Sequence, residues 1–95
     1  MHIYHMEEWQ DPIGYWHCND TNDLAHNSGV WYLPARILNM SPAKYIEWVI
    51  NTYKPDEVSF GTDATVVSFK WKSQSQMRAF KNFINKKARE KNFEI

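Results

Sequence analysis

The sixteen residues Glu57–Lys72 ("EVSFGTDATVVSFKWK") alternate apolar and polar side chains between two segments of helical spacing. Successive side chains of a strand point to opposite faces, so this run predicts a hairpin with one buried and one solvated side. Val58 and Phe60 mark the buried side of the first arm, Gly61-Thr62-Asp63 supplies the turn, and Thr65, Val67, Phe69 and Trp71 mark the second arm. Val66, Ser68, Lys70 and Lys72 take the other side. A sheet with one apolar face must be covered, and the flanking segments are suited to cover it.

The segment before the hairpin starts with Ser41 as an N-cap and Pro42 in the first turn, where a missing N–H costs nothing. Tyr45, Ile46, Val49, Ile50 and Tyr53 then recur at helical spacing until Pro55 ends the helix. After the hairpin, Ser73-x-x-Gln76 has the form of a capping box. Met77, Phe80, Ile84 and Ala88 form one stripe with Phe83 at its border, and Arg78, Asn82, Asn85, Lys86 and Arg89 lie opposite. The predicted core joins Tyr45, Ile46, Val49, Ile50, Phe80 and Ile84 to Val58, Phe60, Val67, Phe69 and Trp71.

Upstream, Val30–Leu38 reads as a strand, with Trp31, Leu33, Ala35 and Ile37 on one face and Pro34 requiring an edge or a bulge. "HIYHMEE" and "IGYWHC" read as two further strands joined through Trp9-Gln10-Asp11-Pro12, and "NDTNDLAHNSG" reads as a polar loop. The order is β-β-β-α-β-β-α. It describes a two-layer α+β domain: a mainly antiparallel sheet with both helices on one face, and residues 1–95 as a single small domain. A chain of this length buries only roughly 60–65% of the surface its unfolded form exposes, so large rings must supply much of the core. Five Trp, five Tyr and five Phe meet that need, at about 150–250 Å² each.

No apolar run approaches the roughly 18 residues of a membrane span, so no membrane association is expected. The opening residues lack both the basic and the apolar region of a secretory signal. One cysteine cannot make an internal disulfide, which points to a reducing, cytoplasmic location and makes the sequon Asn19-Asp20-Thr21 a chance match. The formal charge is zero but unevenly placed. Residues 1–35 carry five acids and no Lys or Arg, while residues 70–95 carry eight cations against two acids. Such polarity suits partner docking, self-association or nucleic acid, unless the two ends neutralise one another within the fold.

The first 26 residues hold all four histidines and the single cysteine. Zinc needs three or four convergent ligands. His2 and His5, three apart on a strand, face opposite ways, as do adjacent His17 and Cys18, so neither a metal site nor a cofactor is expected. The same geometry argues against a thiolate–imidazole pair, leaving His5, His17 and Cys18 as the candidates of an enzymatic reading. The carboxylates Glu7, Glu8, Asp20 and Asp23 read as solvated surface.

The remaining feature is an acidic surface rich in rings. Tyr4, Glu7, Glu8, Trp9, Tyr15, Trp16 and Trp31 are the candidate partner-binding residues, since exposed Trp and Tyr carry much of the energy of protein interfaces. The expectation is a non-enzymatic protein-binding module of unidentified partner. It fits a small phage- or mobile-element-type inhibitor or immunity protein that occludes its partner's surface. A homodimer, acidic strand against basic helix, is a further expectation. The alternative is a nucleic-acid-binding module using Lys70, Lys72, Arg78, Lys86, Lys87 and Arg89.

Overall fold

A computed structural model describes residues 2–20, 33–60 and 67–94. The elements run β1 (Glu7–Gln10), β2 (Trp16–Asn19), α1 (Leu33–Ile37), α2 (Pro42–Tyr53), β3 (Glu57–Phe60), β4 (Val67–Lys70) and α3 (Gln74–Glu90). This is a small α+β domain of two antiparallel hairpins with helices packed against them, in place of the expected continuous sheet with a third strand before α2. The pairs β1–β2 and β3–β4 meet through one bridge, in which Trp16 and Trp71 exchange both backbone hydrogen bonds at 2.6 and 3.0 Å.

Both longer helices start as expected. Ser41 and Ser73 stand in extended conformation, and their hydroxyls accept from Lys44 N and Gln76 N, each at 3.3 Å. The helix α2 stops at Lys54, whose φ of 50° is left-handed, ahead of Pro55. The helix α3 ends in a Schellman motif: Asn92 is left-handed (φ 52°), and Phe93 N donates to Ala88 O while Asn92 N donates to Arg89 O.

The strand expected at Val30–Leu38 is overturned: Leu33–Ile37 is helical, and Val30, Trp31 and Tyr32 lie outside the described residues. Pro34 falls in the first turn, where no helical N–H is missed. Leu33, Ala35 and Ile37 are buried as a strand face would be, but so is Pro34. The ending repeats that of α3, with Asn39 left-handed (φ 58°), Met40 N donating to Ala35 O and Asn39 N to Arg36 O.

The first hairpin is displaced by about two residues from expectation. Trp9 and Gln10 belong to β1, and the connection is Asp11–Tyr15. Asp11 closes it, since its Oδ1 accepts from Ile13 N (3.1 Å) and Tyr15 N (2.9 Å). Gly14, at φ 104°, supplies a conformation that a side chain would strain. The second hairpin has Phe60 opposite Val67 and Glu57 opposite Lys70, and its expected turn at Gly61-Thr62-Asp63 lies outside the described residues.

The core gathers Tyr4, Met6, Leu33, Ile37, Tyr45, Val49, Phe69, Trp71, Met77, Phe80 and Ile84. Phe80 is its centre, with ring centroids of Trp71, Tyr53, Phe69 and Trp48 at 5.4, 5.5, 6.2 and 6.5 Å. Trp71 is buried with its indole N–H satisfied by Tyr53 O at 2.9 Å. Ile46, Val58 and Val67 are half-buried at its margin, whereas Ile50 and Phe60, expected inside, are exposed.

Asn85 reverses the expectation of a solvated position. It is 4% exposed, its Oδ1 accepts from Met6 N (2.7 Å), and its Nδ2 donates to Met6 O (3.2 Å). A carboxamide presents the donor and acceptor of a peptide group, so Asn85 pairs with Met6 as a neighbouring strand would. Beyond it, Tyr4 N donates to Phe93 O and Ile3 bridges Glu94, which ties the first residues to the last.

Candidate functional site

The parity of β1 and β2 sorts the N-terminal candidates onto two sides. Register places Glu8 opposite Cys18, Trp9 opposite His17, and Gln10 opposite Trp16. Glu8 faces α3: its carboxylate accepts from Arg78 Nε (2.9 Å) and Nη2 (2.7 Å), Lys81 Nζ (3.0 Å) and Gln74 Nε2 (3.3 Å). The hydrogen bonds from Arg78 and then Lys81 hold this carboxyl at about 2, against the opposing effect of burial. Part of the charge asymmetry is thus neutralised within the fold. Cys18, as Glu8's register partner, lies on the same side.

The opposite side presents Glu7, Trp9, His17 and Asn19. Trp9 stacks on His17 with centroids 4.1 Å apart and planes 7° from parallel, and its indole N–H donates to Asn19 Oδ1 at 2.7 Å. The ring still leaves 47% of the residue exposed. His17 is buried beneath it and donates from Nε2 to Asp11 Oδ2 at 2.8 Å. That bond, with the Tyr15 and Ile13 amides, holds the Asp11 carboxyl below its usual range. The turn, the imidazole and the indole therefore form one continuous support for an exposed ring. Ile13, at the hairpin tip that follows β1, is 77% exposed.

Tyr15 carries this surface toward the second hairpin. The Glu57 carboxylate near its hydroxyl raises the phenol's pKa, and the ammonium groups of Lys70 and Lys72 lie 5.9 and 6.0 Å from its ring centre. These lysines sit on the side of β4 away from Phe69 and Trp71, and hence away from α3.

The sequence-predicted residues divide accordingly. Glu7, Trp9 and Tyr15 share the outer side, with Glu7 exposed and Tyr15 half-buried. Tyr4 is wholly buried in the core and is removed from any surface, with its backbone N–H bonded to Phe93 O. Glu8 is committed to Arg78 and Lys81, and Trp16 is half-buried at the bridge between hairpins. Trp31 lies outside the described residues. Of the basic alternative set, Lys70 and Lys72 flank Tyr15, Arg78 binds Glu8, and Lys87 pairs with Glu90 (3.4 Å) on α3, where Lys86 and Arg89 are exposed.

The histidines separate as well. His2 Nε2 meets the buried Asp20 Oδ2 at 3.1 Å, His5 meets Glu7 at 3.4 Å, and His17 meets Asp11. His26 lies outside the described residues, and among the described residues no group of three His, Cys, Asp or Glu is placed to hold a metal ion. His17 and Cys18 stand on opposite sides of β2. Also among the described residues, no helix is long and apolar enough to cross a membrane. The Trp9–His17–Asp11 support went unread in the sequence, although Asp11-Pro12-x-Gly14 signals the turn that aligns it. Comparison with protein-family models, curated proteins and solved structures found no match.

Proposed function

We propose that the protein is a non-enzymatic protein-binding module that docks through the outer side of its first hairpin, centred on Trp9. The observation that carries this reading is a large ring left half-exposed yet fixed by a stack on His17 and a hydrogen bond to Asn19. A ring ordered before binding loses little further entropy on docking, which is the property of interface hot spots. Ile13 adds apolar area at the tip, and Glu7 adds charge at the rim. The small size and ring-led surface fit an occluding partner of the phage- or mobile-element-type inhibitor or immunity class, acting in the cytoplasm.

The test is a comparison of Trp9→Ala with the double change Lys86→Ala plus Arg89→Ala in quantitative capture from the native host. The tryptophan variant should lose about 2 kcal/mol or more of binding while it still melts cooperatively well above the assay temperature, and the basic pair should chiefly alter salt dependence. If the basic pair loses more while Trp9→Ala binds normally, the nucleic-acid-binding reading takes its place.

A further inference from the structure

Hydrogen-bond parity shows where the first hairpin is incomplete. In an antiparallel pair, residues alternate between those whose N–H and C=O point at the partner strand and those whose groups point away. Trp16 directs both groups at Trp71, away from β1. Its register partner Gln10 must therefore direct both of its own outward on the far side, and Glu8, two residues earlier, does the same. Met6 completes the series, and its outward groups are the ones that Asn85 satisfies. Among the described residues, nothing takes the same groups of Glu8 and Gln10. The β1 edge is thus closed at one end by a side chain that imitates a strand and open for the next two outward-facing residues.

We infer that this open edge binds an extended, basic segment of a partner polypeptide by strand addition, with Trp9 and Glu7 contacting the side chains on its outer face. The inference rests on the docking reading above and names the partner chemistry. A strand laid against Glu8 and Gln10 places one residue beside Trp9, on the ring's side opposite His17. That position favours a Lys or Arg, through the ring face and the neighbouring Glu7 carboxylate, which is 73% exposed with His5 at 3.4 Å. A second copy of this chain is a poor occupant. The outer strands β1 and β3 present Glu7 and Glu57 and neither holds a cation, so edge-to-edge pairing of two copies sets like charges together.

The experiment selects binders to the full chain from a displayed library of random linear 12-residue peptides, and then measures synthetic peptides by titration calorimetry and amide NMR. Selected peptides should be enriched in Lys or Arg at alternate positions. Gln10→Pro, which removes one outward N–H at a site where an edge strand tolerates proline, should weaken binding at least tenfold. Gln10→Ala, which keeps the N–H, should bind as wild type, and Glu7→Lys should weaken binding at least tenfold. Should Gln10→Pro fail to fold, amide exchange decides instead, since bound peptide should slow the Glu8 and Gln10 amides of the wild type at least tenfold.

Basic peptides that bind with no protection of those amides, or that tolerate Gln10→Pro, would overturn strand addition while leaving docking through Trp9 intact. Enrichment of acidic or uncharged peptides would overturn the partner chemistry. Absence of any linear peptide binder, with a folded partner still captured through Trp9, would sink the proposal and spare the docking reading. Random single-stranded oligonucleotides that shift the Glu8 and Gln10 amides where peptides do not would replace it with nucleic-acid binding.

Discussion

Asn85 offers the sharpest test of how the N-terminal strand is held. Replacing it by alanine leaves Met6 in place but strips both its backbone groups of their partner at a site only 4% exposed. Each buried group so orphaned costs about 1–3 kcal/mol, so Asn85→Ala should lose roughly 2–6 kcal/mol. That is a large part of the about 5–15 kcal/mol that holds a domain of this kind together. Asn85→Asp sharpens the argument. The introduced carboxyl can accept from Met6 N in either state, but it can donate to Met6 O only when protonated. Its folded pKa should therefore rise above the roughly 3.9 of an unfolded aspartate. Stability is then retained below about pH 4 and lost as pH rises through the folded value. Urea melts at pH 4, 5.5 and 7, each referred to wild type at the same pH, measure both effects. An alanine variant within about 0.5 kcal/mol of wild type, inside the range of ordinary surface changes, would refute the strand-like role of Asn85. So would a penalty for Asn85→Asp that stays constant across pH.

Phe80→Ala, at the centre of four rings, should cost about 3–5 kcal/mol in the same melts, and a wild-type midpoint would dismantle the assigned core. Glu8 has its carboxyl depressed to about 2, so its ion pairs contribute stability fully above about pH 4.5 and lose it as pH falls through about 2. Glu8→Gln should flatten that acid limb, and acid titrations identical to wild type would contradict the pairing. Gly14→Ala should destabilise by about 1 kcal/mol or more through its positive φ, since a Cβ there meets open space and strain alone opposes it.

The two longer helices and the second hairpin were legible because several signals agreed. Ser41-Pro42 and Ser73 fixed their starts, Pro55 fixed one end, and Phe69 and Trp71 alternated with lysines. The short helix Leu33–Ile37 was hidden because five residues contain too few turns to separate a period of 2 from one of 3.6. A clue lay in its ending. Ala35-Arg36-Ile37-Leu38-Asn39-Met40 repeats the form of Ala88-Arg89-Glu90-Lys91-Asn92-Phe93, a small residue and a left-handed asparagine before a hydrophobe. Trp9 was picked out as a surface ring, but its support depends on the register set by Asp11 and Gly14, which composition does not specify. Asn85 was misplaced because helical spacing assigns faces from apolar residues, whereas its partner is a backbone 79 positions away.

That separation has a consequence for the chain during its synthesis. The backbone groups of Tyr4 and Met6 bond Phe93 and Asn85, and Ile3 bridges Glu94. At about 5–20 residues per second, the N-terminal segment waits roughly 4–16 s for them. Through that interval Tyr4 and Met6 lack these backbone partners, and the β1 edge lacks even its Asn85 plug. The nascent domain is then most exposed to strand pairing with a neighbouring chain, and the arrival of Asn85 on α3 and of Phe93 and Glu94 after it ends the exposure.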